Sequence, residues 1–387
     1  MANLSVDFCG FKFPNPIVLA SGYPAGAVGS GLTHKMMAKA GAGGITARTV
    51  RIKKGEMGLK LRPKYSFDGH HLVHFDAVSE SASEFYDKQA AIAKVDGVPF
   101  ITSIRGTSVD EYGVLGEMAN KCPFADIIEI NVSCPAVKQL GSTINMTRPN
   151  VSQMPELVEE IMRTVRKTTD KPLIAKLAVQ ADDMAETARA AVAGGADALA
   201  AVNTLPNALA VIDIETGKPG LPILGAYGGA GLRHLAMGAV VQIRKAVSVP
   251  VLGIGGVFTW RHAVEMIMAG ASLVGLCTAA LLRGSGIFRE ITSGIEKFMD
   301  SHGYDRVQDM CGITLPHVYT WEDVPQFDLV AHINAGNCTQ CGLCLEVCAY
   351  GAIEIEPKPV IDGEKCVACS LCHNICPSGA ITLAGKT

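Results

Sequence analysis

The 387-residue chain has no apolar run near the ~18 residues that a membrane span needs. Its first residues lack the charged-then-apolar order of a secretory signal. There is no basic excess either: 34 Lys and Arg stand against 37 Asp and Glu, a net charge of −3. A surface of that balance gives no reason to expect nucleic acid. No repeat or low-complexity tract is evident, and no GxGxxG opens a helix directly after a strand, so the nicotinamide-binding fingerprint is missing. The expectation is a soluble, cytoplasmic protein.

What is present is apolar and turn-rich, with 48% hydrophobic residues and 41 glycines, as in a well-buried α/β protein. The opening Leu4–Pro16 alternates and turns at Gly10, which suggests a short hairpin. Eight short apolar runs follow: Ile17–Ala20, Gly44–Ala47, Phe100–Ile104, Ile127–Val132, Leu173–Leu177, Ala198–Val202, Val251–Ile254 and Leu273–Leu276. Helical patterns separate them, among them Met154–Thr168, Met184–Ala193, Leu235–Ala246, Ala263–Ala269 and Phe288–Ser301. Strands alternating with helices imply a parallel sheet with right-handed crossovers. Eight such units predict a (β/α)8 TIM barrel over residues 1–310, with a doubly wound sheet as the alternative. A hinge-like linker is expected at 311–335 and a second, cysteine-rich domain at 336–387.

In a parallel barrel the carboxyl ends of the strands carry the chemistry. That rule selects Ala20-Ser21-Gly22, Thr46–Arg48, Arg105-Gly106, Asn131–Cys134, Lys176, Asn203-Thr204, Gly255-Gly256 and Cys277-Thr278. Asp126-Ile-Ile-Glu-Ile-Asn-Val-Ser-Cys-Pro135 is the organising stretch, placing Asn131 and Cys134 at the end of a buried strand. Gly253-Ile-Gly-Gly-Val257 and Leu276-Cys-Thr-Ala-Ala280 end the last two strands, the usual phosphate site of such barrels. Lys176 lies in the apolar run Ile174-Ala-Lys-Leu177, and a lysine in a barrel mouth is costly unless something anionic meets it. The connections Val50–Glu84 and Ser133–Gln153 are long enough to be lids or substrate loops.

Of thirteen cysteines, eight fall between Cys338 and Cys376. Cys338-x2-Cys341-x2-Cys344-x3-Cys348 is followed by Cys366-x2-Cys369-x2-Cys372-x3-Cys376-Pro377, the spacing of a bacterial-type two-[4Fe-4S] ferredoxin domain. In that arrangement the fourth cysteine of each run crosses to the other cluster. One cluster takes Cys338, Cys341, Cys344 and Cys376, the other Cys366, Cys369, Cys372 and Cys348. Zinc ribbons use paired CxxC but not this four-cysteine run. A disulfide scaffold would require an oxidising compartment.

Asn131-Val-Ser-Cys-Pro135, Ala20-Ser-Gly22, Ala175-Lys-Leu177, Val202-Asn-Thr204, Gly253-Ile-Gly-Gly256 and the doubled cysteine run resemble the dihydroorotate and dihydropyrimidine dehydrogenases. The resemblance covers nearly the whole chain. It implies FMN in the barrel, near Ala20, Ser21, Asn131, Lys176, Thr204, Gly229, Gly255, Gly256, Cys277 and Thr278. Substrate contacts are implied for His74, Asn131, Asn203 and Thr204. The implied chemistry is hydride transfer between flavin and the β-carbon of a C=C conjugated to a carbonyl, with Cys134 protonating the α-carbon from the opposite face. Lys176 would tune the flavin, and the electron partner would be an NAD(P)H-oxidising flavoprotein subunit or a ferredoxin, in an oligomeric assembly.

Departures touch the substrate side. The family's Thr-Lys-Thr run is Thr46-Ala47-Arg48-Thr49 here, the residue after Cys-Pro is Ala136, and the loop asparagine is replaced by His74. Arg48, Arg105, His74 and Arg148 become candidate anchors for a different carbonyl or carboxylate. A reductase of a non-pyrimidine enone, lactam or aromatic acid, and a pure electron-transfer subunit, are the alternatives to a pyrimidine enzyme.

Overall fold

A computed structural model describes residues 2–24, 29–52, 64–74, 80–132, 151–180, 183–320, 322–325, 328–355 and 359–385. Eight parallel strands close into a barrel: β1 Ile17–Leu19, β2 Gly44–Thr46, β3 Phe100–Ile104, β4 Ile127–Asn131, β5 Leu173–Leu177, β6 Ala198–Ala201, β7 Val251–Ile254 and β8 Leu273–Leu276. Their order round the barrel follows the chain, and β8 pairs with β1 through Val274 and Ile17. Each strand is covered by helices outside and side chains inside, so every residue of the eight is buried and the sequence reads as largely apolar runs, broken only by Thr46, Thr102, Ser103, Glu129, Asn131 and Lys176. The doubly wound alternative is excluded by this closure.

Helices form where apolar residues recur at helical spacing. Pro155–Arg166 has proline in its first turn and buries Val158, Ile161, Met162 and Val165 against the barrel. The N-terminal hairpin pairs Val6–Phe8 with Phe11–Phe13 through a two-residue turn, with Cys9 at φ 52 and Gly10 at φ 79. Phe8 and Phe13 meet edge to face at 5.8 Å, and Phe13 lies against Gly44 where β2 begins. The hairpin therefore closes the amino end of the barrel, opposite the strand ends singled out above.

One structure at the mouth is not evident from the apolar pattern. Lys64–Phe67 and His71–His74, both inside the long connection after β2, form a hairpin across Asp68-Gly69. His71–His74 then pairs with Gly225–Gly229, which pairs with Leu205–Ala208. The result is a small antiparallel sheet built from two excursions that are distant in sequence. Residues 133–150, containing Ser133, Cys134, Ala136 and Arg148, lie outside the described residues.

His34, on the helix Ser30–Lys39, is a buried titratable group with its ring against Phe100. Its Nδ1 has no hydrogen-bond partner among the described residues. Burial pushes its pKa down to about 4 from an ordinary 6.5. The unfolded chain thus binds a proton that the folded chain refuses, so this contribution to stability is intact above pH 6.5 and is lost as pH falls toward 4. At about 1.4 kcal/mol per pH unit, the loss is on the order of 3 kcal/mol. Urea unfolding of wild type and His34→Leu at neutral pH and near pH 4.5 should show the gap narrowing or reversing in acid. An equal pH dependence in both proteins would contradict it.

The chain divides into two compact units, 1–317 and 318–387. In the second, Leu329–Ile333 pairs antiparallel with Ile381–Gly385, and Ile353–Glu354 pairs with Val360–Ile361. The strand Leu329–Ile333 occupies part of the stretch read from sequence as linker. Ala331, Ile353, Cys372 and Ile381 form its small core. The two cysteine runs repeat one backbone geometry: Gln340 and Ala368 have φ 55 and 53, Gly342 and Ser370 have φ 80 and 63, and short helices Leu343–Val347 and Leu371–Ile375 follow.

Candidate active site

The carboxyl ends of the barrel strands open into a solvent-facing cleft of about 790 Å³, its open mouth included. Ser21, His74, Lys176, Asn203, Thr204, Gly229, Gly255, Gly256, Cys277 and Thr278, all selected from sequence, line it. Leu72, Val202, Leu232, Ile254, Val257, Phe258 and Leu276 supply apolar walls. Of the remaining candidates, Ala20 sits behind the lining with its N–H donating to the Leu276 carbonyl. Asn131 is also one layer back, and Arg48 and Arg105 stand half-buried at the ends of β2 and β3 without lining the cavity. Cys134 and Arg148 fall in the undescribed stretch.

The floor holds a polar network in which sequence reading singles out Ser21, Asn131, Lys176, Asn203 and Thr204 as site residues, but not Glu129 or Ser103. Glu129 on β4 is fully buried, and its Oε1 lies 3.8 Å from Lys176 Nζ on β5. Ser103 Oγ donates to the same Oε1 at 2.8 Å. That uses the single hydroxyl proton of Ser103, so Ser103 accepts from Thr49 Oγ1 at 2.9 Å. Thr49, its own proton committed, accepts from Ser21 Oγ at 3.2 Å and from Asn131 Nδ2 at 3.4 Å. Asn131 Oδ1 then accepts from Asn203 Nδ2 at 3.5 Å, and Asn203 Oδ1 from the Thr204 N–H at 2.9 Å. Every donor in this chain points toward Glu129, an acceptor-only carboxylate, and the sense of the chain sets which way both amide side chains face. Tyr112 steadies the end of β4 by donating to the Asn131 carbonyl at 2.7 Å.

The lining fits a flavin mononucleotide. Apolar walls, a cation in Lys176, and the hydroxyl and amide groups of Ser21, Thr204, Thr278 and Asn203 suit an amphipathic ring with few specific polar contacts. At the other end the backbone comes unusually close. Gly256 has φ +67, and a Cβ there would sit 2.6 Å from the Arg233 backbone nitrogen. Gly229 has φ +120, and a Cβ there would sit 2.3 Å from the His70 carbonyl. Both glycines line the cavity, and only glycine lets the chain pack this closely on its own backbone there; the side-chain-free wall that results suits a phosphate.

In the second unit, one cavity of about 360 Å³ is lined by Cys348, Cys366, Cys369 and Cys372. Another of about 350 Å³ is lined by Cys338, Cys341, Cys344 and Cys376. Each therefore gathers three cysteines of one run and the fourth of the other. Backbone N–H groups already point at sulfur: Ala331 to Cys366 at 3.4 Å, Ala352 to Cys348 at 3.3 Å, Gln340 to Cys338 at 3.4 Å and Ala380 to Cys376 at 3.3 Å. Among the described residues no group of three or more His, Cys, Asp or Glu closes on a single metal ion. Thiolates ringed by N–H donors around a larger void suit a cluster instead.

Fold and sites define a flavin-linked α/β-barrel oxidoreductase that carries its own iron–sulfur module. Comparison with known proteins agrees. The chain belongs to the dihydroorotate dehydrogenase family, whose profile matches residues 3–299, and a 4Fe-4S dicluster domain matches residues 331–384. It is similar to the dihydroorotate dehydrogenase B (NAD(+)) catalytic subunit of Thermococcus kodakarensis, 34% identical over 81% of this chain and 99% of the relative. The corresponding subunit of Pyrococcus abyssi is 35% identical over 81% of this chain and 99% of its own length. The NAD-dependent dihydropyrimidine dehydrogenase subunit PreA of Escherichia coli K12 is 32% identical over 90% of this chain and 86% of the relative. The protein is an oxidoreductase acting on CH–CH bonds, with FMN and [4Fe-4S] clusters as cofactors. No helix among the described residues is long and apolar enough to cross a membrane.

Proposed function

We propose that the chain interconverts a dihydropyrimidine and the corresponding pyrimidine, exchanging the electrons through its clusters with an NAD(P)H-oxidising flavoprotein subunit or a ferredoxin. The observation that carries this reading is the directed polar network on the cavity floor, which fixes the amide of Asn203 in the lining with Lys176, Asn131 one layer behind it. An amide held in the lining suits a ring with alternating carbonyl and N–H groups, because it can both donate and accept. FMN, when bound, accepts or supplies the hydride equivalent. Ser21, Lys176, Thr204, Gly229, Gly255, Gly256, Cys277 and Thr278 hold it, with Ala20 behind them, and Asn203, Thr204 and His74 face the substrate. Cys134, three residues beyond β4 in the sequence, moves the proton at the α-carbon, since a thiol of ordinary acidity is protonated at neutral pH. The eight cysteines hold the clusters in the crossed sets that line the two cavities.

One observation favours a second reading. His74 lines the cavity where the family resemblance expects asparagine, and Arg48 replaces the expected lysine. A mismatched polar contact costs about 1–3 kcal/mol, enough to move preference to another cyclic enone, lactam or aromatic acid. Anaerobically reduced protein should be mixed with uracil, thymine, orotate and non-pyrimidine enones while flavin absorbance is followed. Fast reoxidation by a pyrimidine supports the proposal; reoxidation only by the non-pyrimidines overturns it in favour of the second reading.

A further inference from the structure

We infer that Glu129 is a positioning residue for the reaction: its carboxylate sets the net charge that Lys176 presents to the flavin, and so the reduction potential of FMN in this barrel. This rests on the reading that the flavin ring lies against Lys176.

The floor of the barrel is an expensive place for an ion pair. Glu129 is fully buried and Lys176 is 3% exposed. Removing two charges from water costs several kcal/mol each, and a buried pair is seldom kept for stability, since well-packed apolar residues serve as well. This pair is also poorly optimised as a structural bridge. Nζ and Oε1 are 3.8 Å apart, near the limit of an ion pair, and Oε2 of Glu129 has no hydrogen-bond partner among the described residues. What the geometry achieves is an asymmetric disposition of charge. Lys176 lines the cavity, whereas Glu129 lies beneath it and lines nothing. Register explains the arrangement: Asn131 pairs with Lys176, so Glu129, one inward position earlier on β4, falls one layer below.

An ammonium against the ring favours the reduced, anionic form, and a carboxylate directly behind that ammonium subtracts from the effect. Reduction of bound FMN takes up two electrons and a proton, leaving a negative charge on the ring that only the nearby cation offsets. The other titratable side chains lining the cavity are His74 and Cys277, with Tyr23 close to Cys277. On the Glu129 side the contacts are the hydroxyl of Ser103 and, through it, Thr49, neither of them charged. Glu129 is thus the acidic group placed to act on Lys176 from below.

The test is an anaerobic potentiometric titration of the flavin in the full chain. Glu129→Gln keeps shape and removes one negative charge. The ratio of affinities for reduced over oxidised FMN should rise about 10–100-fold, a positive shift of about 30–60 mV for a two-electron couple. Glu129→Asp, which keeps the charge, should restore a potential close to wild type. Ser103→Ala, which breaks the hydrogen-bond relay without changing charge, should leave the potential near wild type as well. An unchanged or more negative potential in Glu129→Gln overturns the inference. If that variant fails to hold FMN, Lys176→Met is compared with the double variant Glu129→Gln/Lys176→Met, which is neutral at this position. The double variant must have the more positive potential, and equal values overturn the inference. No substrate enters these measurements, so their outcome is separate from that of the pyrimidine assignment.

Discussion

Cys134→Ala is expected to lower turnover by about 10²–10⁴-fold, the usual range for removing a general acid or base, while FMN and both clusters stay bound. The reason is division of labour. The hydride half of the exchange belongs to the flavin, but the α-carbon needs a proton donor on the other face of the substrate. Asn131, Asn203 and Thr204 cannot take that part, since amides and aliphatic hydroxyls do not titrate near neutrality. Cys134→Ser should retain a little more activity than the alanine variant but shift the pH optimum upward, because a hydroxyl is a far weaker acid than a thiol. Pre-steady-state mixing separates the steps: substrate should still perturb the flavin spectrum on binding, and only the redox change should slow. A Cys134→Ala enzyme turning over at the wild-type rate would remove the residue from the mechanism.

Cys376→Ala should abolish the cluster whose other three ligands lie in the opposite run. Cys376 belongs by sequence to the second run, yet it lines the cavity of Cys338, Cys341 and Cys344. The variant should fall from about eight irons per chain to about four and lose one of two cluster signals. Combining it with Cys344→Ala should cost no further iron, whereas combining it with Cys348→Ala should remove the second cluster as well. The Cys348→Ala pairing is the mirror case, since Cys348 lines the cavity of Cys366, Cys369 and Cys372. Additive iron loss in the pair Cys376→Ala and Cys344→Ala would mean that each run serves its own cluster. On the proposed electron route through this unit, steady-state activity with the partner should drop far more than the flavin's own reaction with substrate.

Much of this was legible before any coordinates. Strands buried on both faces must be continuously apolar, so Phe100–Ile104, Leu173–Leu177 and their six companions stand out without homologues. Lys176 announced itself as a charge inside such a run. Glu129 sends the same signal in Asp126-Ile-Ile-Glu-Ile-Asn131, but what it means depends on the β4–β5 register, which sequence does not reveal. The small sheet over the mouth was hidden for a different reason. Asp68-Gly69 is a hairpin signal, yet the strand that completes the sheet is Gly225-Ala-Tyr-Gly-Gly229, whose glycines argue against a strand in isolation. Only tertiary pairing with His71–His74 makes it one. Leu72, Leu232 and Phe258 entered the cavity lining by the same route, as ordinary apolar residues carried there by the chain path. In the ferredoxin-type unit, by contrast, the cysteine spacing alone anticipated which four side chains surround each cavity.

The central claim is that clusters, flavin and substrate form one electron path within this chain. Protein reduced to completion under anaerobic conditions and mixed with its best pyrimidine substrate in stopped flow tests it directly. Flavin absorbance should recover first and the broad iron–sulfur absorbance should follow, with the reduced dihydropyrimidine product accounting for the electrons lost by both. Recovery of the flavin alone, with the clusters remaining reduced for as long as substrate is present, would contradict the account.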